Sequence, residues 1–183
     1  IRRSSARQLD DDPDLLIFGL LGNFSGYYPG YADDIARDNS RYPNPLCSRN
    51  GDHSDTCKEN IFTWAILKAN ASNTGYITLR SGDPRDVPDI NFNYFPEDRD
   101  DGSSEQDLDA VVDGVETVRN ILEDCGDLVD EEILPGANVS SQDEIRQFIR
   151  DQAWGHHASC TCKMGPRSDE MAVVDSRFRV YGT

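Results

Sequence analysis

The sequence predicts an α+β fold in which helices flank a mainly antiparallel sheet. Short segments with the composition of strands lie on both sides of a long helical pattern. The helices do not alternate one for one with the strands, which favours an antiparallel sheet over regular βαβ units. A length of 183 residues fits one domain, or one domain with an irregular extension.

Strands are predicted from apolar runs and from alternation. Leu15–Leu21 is a short apolar run closed by Gly22, as expected of a buried strand. Ile90, Phe92 and Tyr94 alternate with polar residues, which is the period-2 pattern of a half-buried strand. The other candidate strands are residues 62–67, 75–80, 172–175 and 178–181, the last two as a short pair.

The first helix is predicted between Leu108 and Leu122. Apolar residues recur there at steps of three and four, which gives the helix one apolar face. Glu105, Asp107 and Asp109 are expected in its first turn, where the helix dipole favours acidic side chains.

A second helix is predicted to begin at Ser141. Ser141 and Glu144 form an S-x-x-E pattern, which is typical of a capping box at a helix N-terminus. Ile145, Phe148 and Ile149 follow at helical spacing and are expected to form its buried stripe.

The chain is predicted to divide into an irregular N-terminal part, residues 1–61, and a domain core, residues 62–183. Residues 22–60 are rich in Gly, Pro, Asn, Asp, Ser and Tyr, and so long an irregular stretch is usually functional or mobile. The chain does not begin with Met and stops directly after Thr183. We therefore expect it to be part of a longer protein.

Charge excludes several kinds of partner. Lys and Arg number 18 against 34 Asp and Glu, a formal net charge of −16. Nucleic acid is not an expected partner, because binding it requires a basic face that displaces counterions.

No membrane span is expected, because no apolar run reaches the roughly 18 residues that a spanning helix needs. The localisation is left unknown: N-x-[ST] sequons occur at Asn23, Asn70 and Asn138, whereas the Asp-rich, Lys-poor composition weakly favours the cytoplasm.

Five cysteines cannot all pair with one another within the chain. Cys47 and Cys57 flank a polar loop and are expected to lie close in space, either as a disulfide or as two free thiols. Cys160 and Cys162 form a C-x-C pair beside two histidines. Structural zinc usually takes C-x₂-C or wider spacing with a second pair of ligands, so no metal site is predicted.

Chemically active residues are concentrated in residues 154–165. This segment contains His156 and His157 as well as Cys160 and Cys162. Histidine changes charge near neutral pH, and loops held by secondary structure often carry catalytic residues; a purely structural role is the alternative. The sequence contains no G-x-G-x-x-G after a strand, no G-x-x-x-x-G-K-[ST] and no G-x-S-x-G, so it has no nucleotide cradle or nucleophile elbow of its own.

Residues 157–165 resemble the C-terminal signature of the glucose–methanol–choline (GMC) flavoprotein oxidoreductases, H-x-x-G-T-C-x-M-G. The matching residues are His157, Thr161, Cys162, Met164 and Gly165. Residues 72–84 and 88–95 resemble the family pattern S-x-G-x-V-x-L-x-S-x-x-P…P-x-I-x-x-x-Y, and residues 134–136 and 174–182 match family blocks as well. The resemblance covers residues 62–183 well and residues 15–61 only loosely.

The resemblance implies the substrate-binding domain of an FAD-dependent oxidoreductase that acts on the CH–OH group of an alcohol. In this family an N-terminal domain, absent from this chain, binds most of the FAD, so no cofactor-binding residue is assigned here. His157 takes the position of the family's catalytic acid/base, while the second catalytic residue is expected beyond the chain end. The expected partners are a small-molecule alcohol and the FAD domain, and the chain alone is expected to be inactive.

One residue departs from the family pattern. Cys160 stands where the family usually has Gly, so its side chain is expected to crowd the loop or to form a thiol pair. The resemblance distinguishes neither an oxidase from a dehydrogenase nor one alcohol from another. Two alternatives stay open: a non-redox binding or interaction module that retained the fold, and a lyase variant of the family.

Overall fold

The computed structural model describes residues 13–22, 61–97, 101–155 and 159–183. It also describes eight single residues, which are Ile1, Ser4, Ser5, Phe24, Gly26, Asp33, Ala36 and His157. The chain forms two compact units, Ile1–Ala153 and Trp154–Thr183. The predicted division at residue 61 stays a prediction.

An antiparallel pair of strands forms one layer of the first unit. β1 (Leu15–Leu21) pairs with β2 (Phe62–Lys68) in a continuous register in which Leu15 lies opposite Lys68. Because side chains alternate between the two faces of a sheet, Leu15 and Ile66 share one face. Both predicted strands are confirmed, and the fully buried Leu15 marks the face that is covered.

Helix α1 (Ser103–Asp124) packs against this covered face. Its predicted apolar stripe is confirmed, since Leu108 and Val112 belong to the buried core and Ile66 of β2 packs against that core. Gly114 of the helix faces Ile66 and Leu15 of the strand pair. A Cβ atom added to Gly114 would lie 2.5 Å from Cγ2 of Ile66, so the close packing requires glycine.

The start of α1 differs from the prediction. α1 begins at Ser103, and Glu105 is the acidic residue of its first turn. The placement of Asp107 and Asp109 in that turn is wrong, because the helix begins several residues before its apolar stripe. Asp107 is instead buried, at 5% exposure, and it takes part in a polar cluster.

Helix α2 (Gln142–Gln152) completes the core of the first unit. The predicted capping box is confirmed: the Glu144 backbone N–H donates to Ser141 Oγ at 3.3 Å, and the Ser141 N–H donates to the Glu144 carboxylate at 2.9 Å. Ile145 and Ile149 are buried against α1, and Phe148 is partly buried beside them. The stripe of α2 is therefore the predicted one.

Two arginines of α2 form ion pairs with the beginning of α1. Arg146 pairs with Glu105 at 2.7 Å and also with Asp109, and Arg150 pairs with Glu105 at 2.7 Å. The hydrogen bond from Arg150, together with that from Arg146, lowers the pKa of Glu105 despite an opposing effect of burial. These contacts hold the two helices in register at one end.

A buried polar cluster joins β1, β2 and α1. Lys68 Nζ lies 3.4 Å from Asp14 Oδ2 and 3.3 Å from Asp107 Oδ1. Asp14 also accepts hydrogen bonds of 2.6 Å from both the backbone N–H and the hydroxyl of Ser4. The Ser72 backbone N–H donates to Asp107 at 2.6 Å, so each buried carboxylate has several donors.

A second antiparallel pair lies in the same unit. β3 (Tyr76–Thr78) pairs with β4 (Asp89–Asn91), which confirms two short strands. The strand predicted from the alternation of Ile90, Phe92 and Tyr94 is wrong in extent, because β4 ends at Asn91. Asn93 follows with φ of 53°, in the left-handed region that interrupts an extended backbone.

The predicted half-burial of this strand is also not observed. Ile90, Phe92 and Tyr94 are 50%, 47% and 38% exposed. The rings of Phe92 and Tyr94 stack on each other, with centroids 5.4 Å apart. The two strand pairs and two helices of the described residues nevertheless form the predicted α+β arrangement. None of the described helices is long and apolar enough to cross a membrane.

Candidate functional site

The candidate site is the loop that follows α2 and opens the second unit. α2 ends at Gln152, and the Ala153 backbone N–H still donates to Ile149 at 2.8 Å, after which the backbone becomes extended. His157 lies in the loop with an exposed side chain. His156 lies outside the described residues.

The C-terminal end of this loop, residues 163–165, is anchored by hydrogen bonds to residues 173–181. The Lys163 carbonyl accepts hydrogen bonds from the N–H groups of Val173 and Val174 at 2.8 and 3.2 Å, and the Gly165 N–H donates to the Val174 carbonyl at 3.0 Å. The Tyr181 hydroxyl donates to the Gly165 carbonyl at 2.9 Å. The fold thus joins two blocks that the sequence places apart, residues 157–165 and 174–182.

Residues 174–182 themselves form a tight turn. Val174 forms an antiparallel bridge with Val180, so the predicted strand pair is present as single bridges rather than as strands. Between them, Asp175 accepts from Arg179 Nε at 2.8 Å and from the Arg179 N–H at 3.0 Å. The hydrogen bonds from Arg179 are the main reason that the pKa of Asp175 lies below its usual range. Phe178, with φ of 62°, reverses the chain within the turn.

An ion pair that the sequence patterns do not indicate also supports the anchored end. Lys163 Nζ donates to Asp169 Oδ2 at 2.6 Å, and the Met171 N–H donates to the same carboxylate at 3.0 Å. The hydrogen bond from Lys163 is the largest contribution that lowers the pKa of Asp169. A turn in which the Asp169 backbone N–H donates to the Pro166 carbonyl at 2.9 Å brings Asp169 back towards Lys163.

Cys160 adopts the backbone conformation that its place in the family pattern suggests. Its φ is 72°, in the left-handed region that glycine tolerates and that other residues seldom adopt. The side chain does not crowd the loop, since it is exposed. The cysteine therefore stands on a strained, left-handed backbone at this position.

The described thiols are all free. Cys125 is partly buried, and its thiol donates to the Ile121 carbonyl at 3.3 Å, whereas Cys160 and Cys162 are exposed. Among the described residues, no group of three or more His, Cys, Asp or Glu side chains is placed to hold a metal ion. The predicted proximity of Cys47 and Cys57 lies outside the described residues.

The upstream block of the family pattern forms the β3–β4 pair. Gly75 precedes β3, and a Cβ atom there would collide with the Asn91 carbonyl oxygen, so glycine allows this close approach. Asn73 and Asn93 bridge the two segments through hydrogen bonds of 3.1 Å to the carbonyls of Phe92 and Thr74. The block therefore has a structural role in closing the strand pair.

The described helix N-termini do not fit the pyrophosphate of FAD. Free N–H groups at a helix start attract phosphate. At α1 the Ser103 N–H donates to the Asp101 carboxylate at 2.9 Å, and at α2 the Glu144 carboxylate accepts from the N–H groups of Ser140 and Ser141 at 3.1 and 2.9 Å. Each helix start already holds an anion, so a pyrophosphate would meet repulsion there.

Comparison with protein families identifies the chain. A family model described as GMC oxidoreductase matches residues 71–183, which is more than half of the chain. The chain belongs to the GMC oxidoreductase family. The matched residues include the anchored loop, the β3–β4 pair and both helices. The predicted identity as a C-terminal GMC domain is confirmed.

Individual relatives agree with this assignment. The chain is 43% identical over 130 residues to the glucose methanol choline oxidoreductase of Aspergillus terreus, a match that covers 70% of this chain and 20% of that protein. It is 39% identical over 132 residues to an oxygen-dependent choline dehydrogenase of Yersinia pestis, covering 70% of this chain and 22% of that protein. The GMC domain described here thus spans about a fifth of the length of these relatives.

Proposed function

We propose that this GMC domain is the substrate-facing part of an FAD-dependent oxidoreductase that oxidises the CH–OH group of an alcohol. The observation that carries the proposal is the family match over residues 71–183, which contains the loop of His157. The names of two relatives, a glucose methanol choline oxidoreductase and an oxygen-dependent choline dehydrogenase, support a choline-like alcohol as the first substrate to test.

His157 is the proposed acid/base. Oxidation of an alcohol removes a hydride from the carbon and a proton from the hydroxyl, and a neutral imidazole nitrogen is a competent acceptor for that proton. The imidazolium that results stabilises negative charge on the substrate oxygen. The exposed position of His157 leaves its ring accessible to a substrate, and the backbone hydrogen bonds of Lys163 and Gly165 limit the movement of the C-terminal end of its loop.

The proposed cofactor, FAD, supplies the hydride acceptor when it is bound. Since the described helix starts already hold the carboxylates of Asp101 and Glu144, we propose that neither start binds the pyrophosphate and that FAD is bound mainly by another domain of the full protein. The relatives are about five times as long as the matched segment, which leaves ample length for a cofactor domain.

Exposed apolar side chains of the first unit support contact with such a domain. Phe18 and Leu20, on the face of β1 opposite to α1, are 41% and 38% exposed. Ile77 and Ile90, paired across β3 and β4, are 58% and 50% exposed. Apolar surface exposed in patches is typical of interaction sites, and we propose that the FAD domain covers it.

Anaerobic mixing of the full protein with alcohols tests the proposed reaction. Choline is expected to bleach the absorbance of the bound flavin and to yield the corresponding aldehyde. The matched control is ethyltrimethylammonium, which has the same charge and nearly the same shape but no hydroxyl, and which is expected to leave the flavin oxidised.

Other outcomes favour the alternatives. A full protein that holds no flavin after purification and titration with FAD indicates a non-redox binding module. A flavin that stays oxidised while a carbon–carbon bond of the alcohol is cleaved indicates a lyase. Bleaching by other alcohols but not by choline retains the oxidoreductase and rejects the choline-like substrate.

A further inference from the structure

We propose that Cys160 and Cys162 form a dithiol site that hydrogen peroxide oxidises to a disulfide. Both side chains are exposed and both thiols are free. They lie on either side of Thr161, in the loop that also carries His157. The proposal concerns the chemistry of the two sulfur atoms and does not depend on the proposed alcohol oxidation.

The spacing of the two cysteines along the chain is compatible with the Cα separation of a disulfide. Residues two apart are separated by at most about 7 Å between Cα atoms, and disulfides usually span about 4.4–6.8 Å. Thr161 and Cys162 form a turn, and Cys160 enters it in the left-handed region with φ of 72°. A turn is shorter than an extended chain, so the Cα atoms of the pair lie closer together than the extended limit of about 7 Å.

The position of Cys160 is more readily explained by its thiol than by packing. A left-handed backbone favours glycine, and the family pattern has Gly at this place. The Cys160 side chain is exposed, so no buried contact offsets the unfavourable backbone. Its Sγ lies 3.6 Å from the Ser159 hydroxyl, a contact that leaves the sulfur accessible from solvent.

The reaction is balanced with one molecule of peroxide. The thiolate of one cysteine attacks the peroxide, so an S–O bond forms, the O–O bond breaks, and the released hydroxide takes up a proton to become water. The thiolate of the second cysteine then attacks the sulfenic sulfur, so the S–S bond forms, the S–O bond breaks, and the released hydroxide takes up a proton to become a second water; the two protons used are those that the two thiols released on ionisation. Two thiols are oxidised by two electrons, and the peroxide is reduced to two waters.

Cys125 provides the matched control within the chain. Its thiol is partly buried and donates to the Ile121 carbonyl at 3.3 Å, so it is less accessible to peroxide. We expect Cys125 to stay reduced under conditions that oxidise Cys160 and Cys162.

Peptide mass spectrometry tests the proposal on the full protein. Trypsin cuts after Arg150 and Lys163, so both cysteines lie on one peptide, residues 151–163. After brief exposure to hydrogen peroxide and alkylation of the remaining thiols, this peptide is expected to be lighter by two hydrogen atoms and to carry no alkyl group. Dithiothreitol is expected to restore both alkylation sites, and Cys125→Ser is expected to leave this result unchanged.

Variants of the pair decide between a disulfide and other products. Cys160→Ser, or Cys160→Gly if the serine variant does not fold, is expected to abolish the loss of two hydrogens. The proposal is overturned if both cysteines of the wild-type peptide remain alkylated after peroxide. It is equally overturned if they gain oxygen without forming an S–S bond, or if the peptide is linked to Cys47 or Cys57 instead.

Discussion

The buried cluster around Lys68 offers a direct test of what holds the first unit together. The Lys68 side chain is 12% exposed and its ammonium lies 3.4 Å from Asp14 and 3.3 Å from Asp107, whose side chains are 1% and 7% exposed. Lys68→Met keeps most of the aliphatic stem and removes the charge, which leaves two buried carboxylates close together without a cation.

Removing one partner of a buried ion pair usually costs about 3–5 kcal/mol, because the charge left behind is uncompensated. Here Ser4 and Ser72 still donate to Asp14 and Asp107, so we expect a loss near the lower end of that range. A loss of about 3 kcal/mol corresponds to a roughly 140-fold larger population of the open state of the affected segment, and so to a similar rise in its hydrogen-exchange rate.

Hydrogen–deuterium exchange of peptides from β1 and β2 in the full protein measures this effect. The matched control is Lys163→Met, since Lys163 pairs with Asp169 at 2.6 Å but is 52% exposed. Exposed pairs contribute at most about 1 kcal/mol, so exchange around residue 163 is expected to rise by less than about sixfold. Exchange of β1 and β2 within about threefold of wild type in Lys68→Met would refute the assigned role of the ammonium.

Two further predictions follow from the backbone and from the carboxylates. Cys160→Gly is expected to raise the stability of the second unit by about 1 kcal/mol, because the penalty of about 1–2 kcal/mol for an L side chain at φ of 72° exceeds the entropy that Gly adds to the unfolded chain. Local hydrogen exchange measures this free energy of unfolding, with Cys162→Gly as the control. An unchanged or lower value in Cys160→Gly contradicts the assigned strain. Burial raises the pKa of Asp14, but the hydrogen bonds from Ser4 and the charge of Lys68 lower this pKa below 3.8 overall. The Asp14 carboxylate therefore stabilises the fold above pH 3.8, and this stabilisation is lost as the pH falls through the lower folded-state pKa. The melting temperature is therefore expected to fall less steeply below that pH in Asp14→Asn than in wild type, and parallel profiles would exclude the effect.

Local features were predictable from the sequence wherever neighbouring residues decide the structure. The capping box needs only Ser141 and the residue three positions later, and Ile145 and Ile149 follow at helical spacing, so a short window contains all the information. The run Leu15–Leu21 is likewise a strand on the strength of its own composition.

Features that depend on distant residues or on single backbone angles were not predictable. Asp14, Lys68 and Asp107 are far apart in the chain, and no local pattern indicates that they meet. Alternation after Ile90 predicts a longer strand than the structure has, because the pattern does not show the left-handed angle at Asn93.

The candidate site was predictable in part from the sequence. The concentration of His and Cys in residues 154–165 indicated its position, and the family resemblance then singled out His157 and placed a glycine at the position of Cys160. The φ of 72° at that residue explains in physical terms why a glycine suits the position. The anchoring by Tyr181 and Val174 requires the three-dimensional fold, since it joins separate blocks of sequence.

Single-turnover reduction of the flavin by an alcohol, in the full protein and without oxygen, tests the central proposal most directly. His157→Ala is expected to slow reduction by about 10²–10⁴-fold, the usual contribution of general acid–base catalysis, with a much smaller change in the apparent affinity for the alcohol. His156→Ala, one residue earlier, is expected to reduce flavin at close to the wild-type rate. Near wild-type reduction in His157→Ala, combined with loss of reduction in His156→Ala, would contradict the assignment of His157 as the acid/base.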